Sequence, residues 1–348
     1  MSRRVIPGLE APDAVLEADI RARLDRVEET LEKAVMADSE LLASSARYLM
    51  KAGGKRFRPI LVLLAGHFGD PSDPRLIPGS VAIELVHQAT LYHDDVIDEA
   101  DARHGVTSAN ARWDNTIAIL TGDYLFARAS EISADLGPDV CRLLAQTIGV
   151  LCDGQIREVD AAGKLEQSEG TYLEVIRRKT GVLIATSCRL GGLLSDAGSD
   201  HVETLTAFGE SLGTAFQLSD DVMDFTASQM ELEKEPGQDL RAGVYTLPVL
   251  HALQVSGERD ELTRILALGP PDGEMLDRAL DIVHASGGIA HARAAVTREV
   301  GHAVDLAERL PEGPAQHALV QLARFLAVRC GAEQDANRGA ERGGTGHC

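Results

Sequence analysis

The stretch Leu91-Tyr92-His93-Asp94-Asp95-Val96-Ile97-Asp98 sets three carboxylates into an apolar segment that runs back through Ala89 and Val86. Residues i and i+4 share a helix face, so Asp94 and Asp98 point the same way, about 6 Å apart along the axis. A second stretch, Leu218-Ser219-Asp220-Asp221-Val222-Met223-Asp224-Phe225, repeats the pattern with Asp220 and Asp224. One such triplet alone reads as a solvated helix face. Two, each embedded in apolar sequence, read as cation sites, because paired carboxylates repel unless a cation lies between them. Hard oxygen ligands with room for water and phosphate oxygens suit Mg²⁺. If the two helices face one another, their carboxylates form opposing walls for several Mg²⁺ ions and a diphosphate.

The sequence around these stretches is helical. Leu16, Ile20, Leu24, Val27, Leu31 and Val35 recur at steps of four, four, three, four and four, which predicts an amphipathic helix starting near Asp13. The same reading predicts helices over 40–51, 58–68, 78–98, 115–133, 137–160, 171–196, 201–226, 244–255, 273–286, 289–308 and 315–330. Breaks fall at Gly69-Asp70-Pro71, Gly137-Pro138-Asp139 and Gly269-Pro270-Pro271. Period-two alternation never persists, so no convincing strand is expected. Aromatics are only 4% of the chain, which leaves the core to Leu, Val, Ile and Ala. The expected fold class is all-α. A single domain is expected over 13–330, with a flexible stretch at 1–12 and a disordered, Gly-rich polar tail at 331–348.

The chain has 348 residues, with 34 Lys and Arg against 54 Asp and Glu, a net charge of −20. That balance argues against a nucleic-acid partner, whose binding depends on neutralised phosphates. Five cysteines, Cys141, Cys152, Cys188, Cys330 and Cys348, are odd in number and lack metal-ligand spacing, which suits reduced thiols in the cytoplasm. No apolar stretch follows Arg3-Arg4, and no run reaches the length of a membrane span.

The cations, though few, are clustered. Gly53-Gly54-Lys55-Arg56-Phe57-Arg58-Pro59 sets three beside a glycine pair; Arg103-His104-Gly105 follows the first aspartate motif; Lys179-Thr180-Gly181 follows Arg177-Arg178; Lys234 lies ten residues past Asp224. Arg177 and Arg178 read as surface charges. The others read as a device that focuses a polyanionic substrate into one cleft.

In order along the chain, GGKRFRP, HQATLYHDDVIDEADARHG, KTG, FQLSDDVMDF, KEPGQDL and YTLP resemble the trans-prenyl diphosphate synthases, over about residues 40–250. That family joins isopentenyl diphosphate head-to-tail to an allylic diphosphate. The resemblance implies an all-helical bundle around a deep cavity, usually a homodimer. It implies that Asp94 and Asp98 hold Mg²⁺ against the allylic diphosphate and that Asp220 and Asp224 hold a further Mg²⁺, three ions in all. Lys55, Arg58 and His87 match contacts to isopentenyl diphosphate; Arg103, Lys179 and Lys234 match contacts to the allylic diphosphate. Thr180 and Gln217 match residues along the developing carbocation. Two positions depart from the family pattern: His104 stands where a second arginine is usual, and Val244 where a lysine is common.

An allylic diphosphate ionises when its departing charge is neutralised, and the cation survives only in a closed, apolar cavity. The double bond of isopentenyl diphosphate then attacks, and the departing diphosphate can accept the proton, so no general-base side chain is demanded. In the family a bulky aromatic about five residues before the first aspartate stops the product early. Ala89 and Thr90 are small, which predicts a medium or long product, with Tyr92 as a possible obstruction. The competing readings are a short-chain synthase, a class I terpene cyclase, a partner subunit of a heteromeric synthase and, most remote, a metal-buffering protein. The second Asp-Asp-x-x-Asp, the scarcity of aromatics and the isopentenyl site weigh against the cyclase.

Overall fold

Asp13 starts the first helix, α1 (Ala14–Ala34), by accepting the amides of Val15 and Leu16 at 3.0 and 2.9 Å. The buried stripe of α1 is Leu16, Ile20, Val27 and Leu31, as the spacing requires, with Leu24 half-buried. There follow α2 (Glu40–Ala52), α3 (Phe57–Gly66), α4 (Leu76–Ile97), a hairpin of β1 (Ala102–Arg103) and β2 (Val106–Thr107), α5 (Ala109–Arg112), α6 (Asn115–Asp135), α7 (Pro138–Ala161) and α8 (Glu169–Ile176). A π-helical turn (Arg177–Gly181) leads into α9 (Val182–Leu194) and α10 (Ser199–Thr226). Then come α11 (Gln238–Arg241), α12 (Leu247–Val255), α13 (Arg259–Ala267), α14 (Gly273–Ala285), α15 (Gly288–Ala307) and α16 (Pro314–Arg329). The structure is a computed structural model and describes residues 13–103, 105–226, 236–255 and 257–332.

The chain divides into two compact units, one made of residues up to 149 with 183–209 and 307–319, the other of 150–182, 210–306 and 320 onward. In the first, α4 is the central helix and packs on α1, α3 and α6. Val81, Ala82, Ile83, Leu85, Val86 and Ala89 are wholly buried, covering more than one face, so α4 is a core helix, with Glu84 and Gln88 as buried polar residues within it. Burying each of the Val, Ile and Leu side chains contributes about 1.5–3 kcal/mol, which fixes the end of the helix that carries the aspartates. In the second unit, α12 packs on α8, α13 and α14.

Besides the short helices α5, α11 and α13, which the sequence reading left out, two local features differ from it. The helix expected over 171–196 is split by the π turn, and a two-residue antiparallel ladder (Ala102 opposite Thr107, Arg103 opposite Val106) turns at Gly105, φ 75°. Among the described residues no helix is long and apolar enough to cross a membrane. Cys141, Cys152, Cys188 and Cys330 are free thiols; Cys348 lies outside the described residues.

Candidate active site

Asp94 lies half-buried in the last turn of α4, and Asp98 is its exposed C-cap, whose amide donates to the Asp94 carbonyl at 2.8 Å. Asp95, between them, is wholly buried and has a different task. Its Oδ1 accepts Nε of Arg103 at 2.6 Å and lies 2.6 Å from Nη2 in an ion pair, which ties the hairpin back onto α4. Arg103, implied to meet the allylic diphosphate, therefore lies beside the first motif with its guanidinium held by Asp95. His104, next in sequence, lies outside the described residues.

The three clustered cations before α3 separate into different roles. Gly53 and Gly54, at φ 124° and 154°, take backbone conformations that L side chains rarely adopt, and they lead into an exposed Lys55. Arg56 turns inward from a left-handed backbone, φ 48°. Its guanidinium meets Glu28 at 2.5 and 3.2 Å, Glu84 at 3.3 Å and the Met50 carbonyl at 3.0 Å, so it is a bolt inside this unit rather than a free phosphate contact. Arg58 lies on α3 with its Nε buried and without a hydrogen-bond partner among the described residues. Burial lowers its pKa to about 10, while nearby Glu84 opposes the shift. Glu84 is itself buried, and desolvation raises its carboxyl above the usual range against the pull of Arg56 and Arg58. A desolvated guanidinium with a donor unspent is suited to an anionic ligand.

Further along α4, His87 and Thr90 are half-buried, and the Thr90 hydroxyl donates to the His87 carbonyl at 2.8 Å. Ala89 is wholly buried. The Tyr92 hydroxyl donates to the Ser45 carbonyl and accepts the Leu49 amide at 3.3 Å, so its ring is anchored on α2. His93 is a packing residue, with Nε2 at 3.1 Å from the Ile119 carbonyl and its ring against Phe126.

In the second unit the π turn carries Lys179 and Thr180. A π turn inserts one extra residue into the helical register, and such turns recur at functional sites. Helix α7 crosses closely here: a Cβ at Gly154 would lie 2.7 Å from the Lys179 nitrogen, so glycine is needed for the approach. The Lys179 ammonium donates to Glu158, which also takes the Gln155 amide at 3.3 Å. The Thr180 hydroxyl donates to Gln217 Oε1 at 2.9 Å, and Gln217 Nε2 donates to Asp221 Oδ1 at 2.8 Å. The buried Tyr172 hydroxyl donates to the other Asp221 oxygen. Burial pushes the Asp221 carboxyl up to about 6, with the hydrogen bonds from Tyr172 and Gln217 opposing and the charges of Asp224 and Glu158 adding to the rise.

The outer aspartates of the second motif are both engaged. Asp224 accepts the amides of Gln238 and Asp239 at 3.1 and 3.2 Å, where α11 begins. Asp220 is in contact with the guanidinium of Arg329, the last residue of α16. Asp94 and Asp98 in the first unit, and Asp220 and Asp224 in the second, each offer hard carboxylate oxygens of the kind that Mg²⁺ accepts. Lys234 lies outside the described residues. Arg177 and Arg178 are surface ion-pair residues, with Glu299 at 3.9 Å and with Glu174 and Asp153 at 2.6 and 2.9 Å.

Sequence reasoning missed Glu84, Glu158, Tyr172 and Arg329. Glu84 alone left a signal, as a carboxylate inside the most apolar part of α4.

The family model described as Polyprenyl synthetase matches residues 39–283. The chain is 41% identical to the nonaprenyl diphosphate synthase of Mycobacterium tuberculosis over 94% of this chain and 98% of the relative. It is also 41% identical to the heptaprenyl diphosphate synthase component 2 of Geobacillus stearothermophilus, over 92% and 99%. Among solved structures, the geranylgeranyl pyrophosphate synthase of Corynebacterium glutamicum, complexed with calcium and isoprenyl diphosphate, superposes with a TM-score of 0.82 at 40% identity, covering 92% of this chain and 99% of that one. The all-helical architecture, the two Asp-Asp-x-x-Asp segments and these matches lead to one conclusion: the chain belongs to the polyprenyl synthetase family and is a prenyltransferase of isoprenoid biosynthesis.

Proposed function

We propose that this enzyme condenses isopentenyl diphosphate head-to-tail with an allylic diphosphate and releases a medium- or long-chain trans-polyprenyl diphosphate. The observation that carries the reading is the pair of Asp-Asp-x-x-Asp segments in a chain 41% identical, over nearly its whole length, to a nonaprenyl diphosphate synthase. Asp94 and Asp98 on α4, and Asp220 and Asp224 on α10, would hold Mg²⁺, three ions per site with substrate bound. Bound Mg²⁺ supplies Lewis-acid neutralisation of the departing diphosphate. Lys55, Arg58 and His87 hold isopentenyl diphosphate. Arg103 and Lys179, with His104 and Lys234, hold the allylic diphosphate, and Thr180 and Gln217 turn polar oxygens toward the developing cation. The departing diphosphate accepts the final proton.

The wider assignment is a single catalytic domain acting in the cytoplasm as a homodimer. Free thiols at Cys141, Cys152, Cys188 and Cys330 suit a reducing compartment, and the family match runs through residues of both units. A shorter, geranylgeranyl product is the second reading, favoured by the 40% identity to the Corynebacterium glutamicum enzyme. Purified protein incubated with Mg²⁺, radiolabelled isopentenyl diphosphate and farnesyl diphosphate is the test, with the products sized by chromatography. The expected products exceed geranylgeranyl diphosphate, and a chelator or Asp94→Ala with Asp220→Ala abolishes elongation. Elongation that stops at geranylgeranyl diphosphate would establish the second reading instead, and no elongation by the wild type, or undiminished elongation by the double variant, would overturn the proposal.

A further inference from the structure

Glu169 opens α8, His251 lies in the middle of α12 and His291 in the first turn of α15, so three separate helices bring these side chains together. One ligand atom from each lies within 4.8 Å of the others. His291 Nε2 is 3.1 Å from Glu169 Oε2, and the two imidazoles stack with centroids 4.2 Å apart and planes 19° from parallel. None of the three belongs to the aspartate motifs or to the phosphate contacts.

We propose that Glu169, His251 and His291 form a binding site for a divalent transition metal of the zinc class. Two imidazoles and a carboxylate are the donor set that zinc and its neighbours select, whereas Mg²⁺ prefers oxygen alone. Stacked histidines offer each other no hydrogen bond, and His251 makes none among the described residues. Zinc bound by nitrogen and oxygen at about 2.0–2.2 Å needs ligand atoms closer than 4.8 Å and each imidazole edge-on to the ion, so binding unstacks the two half-buried rings. His291 and Glu169 are about a third exposed, so an ion enters from solvent and water completes its coordination. A bound ion would cross-link α8, α12 and α15, and α8 runs directly into the turn that carries Lys179 and Thr180.

The test uses the full-length protein, stripped with chelator and held in excess Mg²⁺ to fill the aspartate sites, then titrated with Zn²⁺ against a fluorescent zinc indicator. One Zn²⁺ should bind per chain, and His251→Ala and His291→Ala should each weaken it at least tenfold, while turnover in excess Mg²⁺ without added Zn²⁺ stays unchanged. Asp94→Asn with Asp220→Asn should retain the Zn²⁺ site. Equal Zn²⁺ affinity in wild type and both histidine variants, or loss of Zn²⁺ binding in the aspartate variant, would overturn the proposal. Co²⁺ added to wild-type protein in excess Mg²⁺ gives a readout that needs no variant. Intense visible d–d bands of a four- or five-coordinate ion support the site, and only the weak spectrum of octahedral, oxygen-bound Co²⁺ refutes it.

Discussion

Arg329 lays its guanidinium on Asp220, with Nε 3.0 Å from Met223 Sδ and the charge 5.2 Å above the Phe216 ring. The end of α16 thereby fills the carboxylate that opens the second motif. Burial lowers the Arg329 pKa, so the contact is made at a desolvation cost. If Asp220 takes Mg²⁺, Arg329 has to give way to it. Arg329→Ala should therefore lower the stability of the metal-free enzyme by about 1–2 kcal/mol, a partly exposed pair being worth less than a buried one. Added Mg²⁺ should raise the melting temperature of the variant more than that of the wild type. Equal shifts in thermal melts would show that arginine and metal do not compete.

Arg56 and Arg58, two residues apart in one motif, should fail in different ways. Arg56 meets Glu28, Glu84 and a backbone carbonyl, and removing it leaves the buried Glu84 with only Gln88 and the nearby Arg58 charge; Arg56→Ala should cost about 3 kcal/mol in chemical denaturation. Arg58 keeps a buried donor unspent. Arg58→Ala should raise the KM for isopentenyl diphosphate tenfold or more, with a smaller loss of stability than Arg56→Ala. A larger stability loss at Arg58, with KM unchanged, would reverse the two roles.

The long helices were legible because their apolar residues recur every three or four positions, as Leu16 to Val35 show for α1. Helix α13 was not, since its two turns bury only Leu262 and Leu266, too few to make a period. The π turn at Arg177–Gly181 was invisible for a related reason: one inserted residue leaves the surrounding hydrophobic pattern intact. At the candidate site the aspartates, Lys179 and Gln217 stood out by pattern and resemblance. Their partners did not. The acid that holds Lys179, Glu158, lies 21 residues away, and the cation on Asp220 comes from 109 residues away, at separations where sequence carries no pairing signal. Charge clustering likewise overcounted the GGKRFRP cations, because burial decides which side chain turns inward and spacing does not.

Tyr172 supports the Thr180–Gln217–Asp221 chain from below. Its hydroxyl is the donor to one oxygen of a buried carboxylate, so Tyr172→Phe leaves that oxygen with one donor fewer. The expected cost is about 1–3 kcal/mol in urea denaturation. Because Asp221 also positions Gln217, kcat should fall more than KM rises. An unchanged kcat in a destabilised variant would confine Tyr172 to the core.

Ala89 decides between a floor and a passage. It lies five residues before Asp94, about 7.5 Å along α4, and is wholly buried, with Val86 and Leu85 equally buried in the preceding turn. In a solid core, Ala89→Phe would overpack and cost about 1–3 kcal/mol or more. In a chain that must house a growing isoprenoid, the same ring occupies space meant for product. Tyr92, three residues on, has its hydroxyl fixed to α2 through Ser45 and Leu49. The expectation is that Ala89→Phe folds, melts within a few degrees of wild type and releases a shorter product, with the rate of the first condensation retained. Product sizing beside a thermal melt separates the cases. A folded variant with unaltered product length places the floor elsewhere, and a variant that melts far below wild type makes Ala89 a core residue.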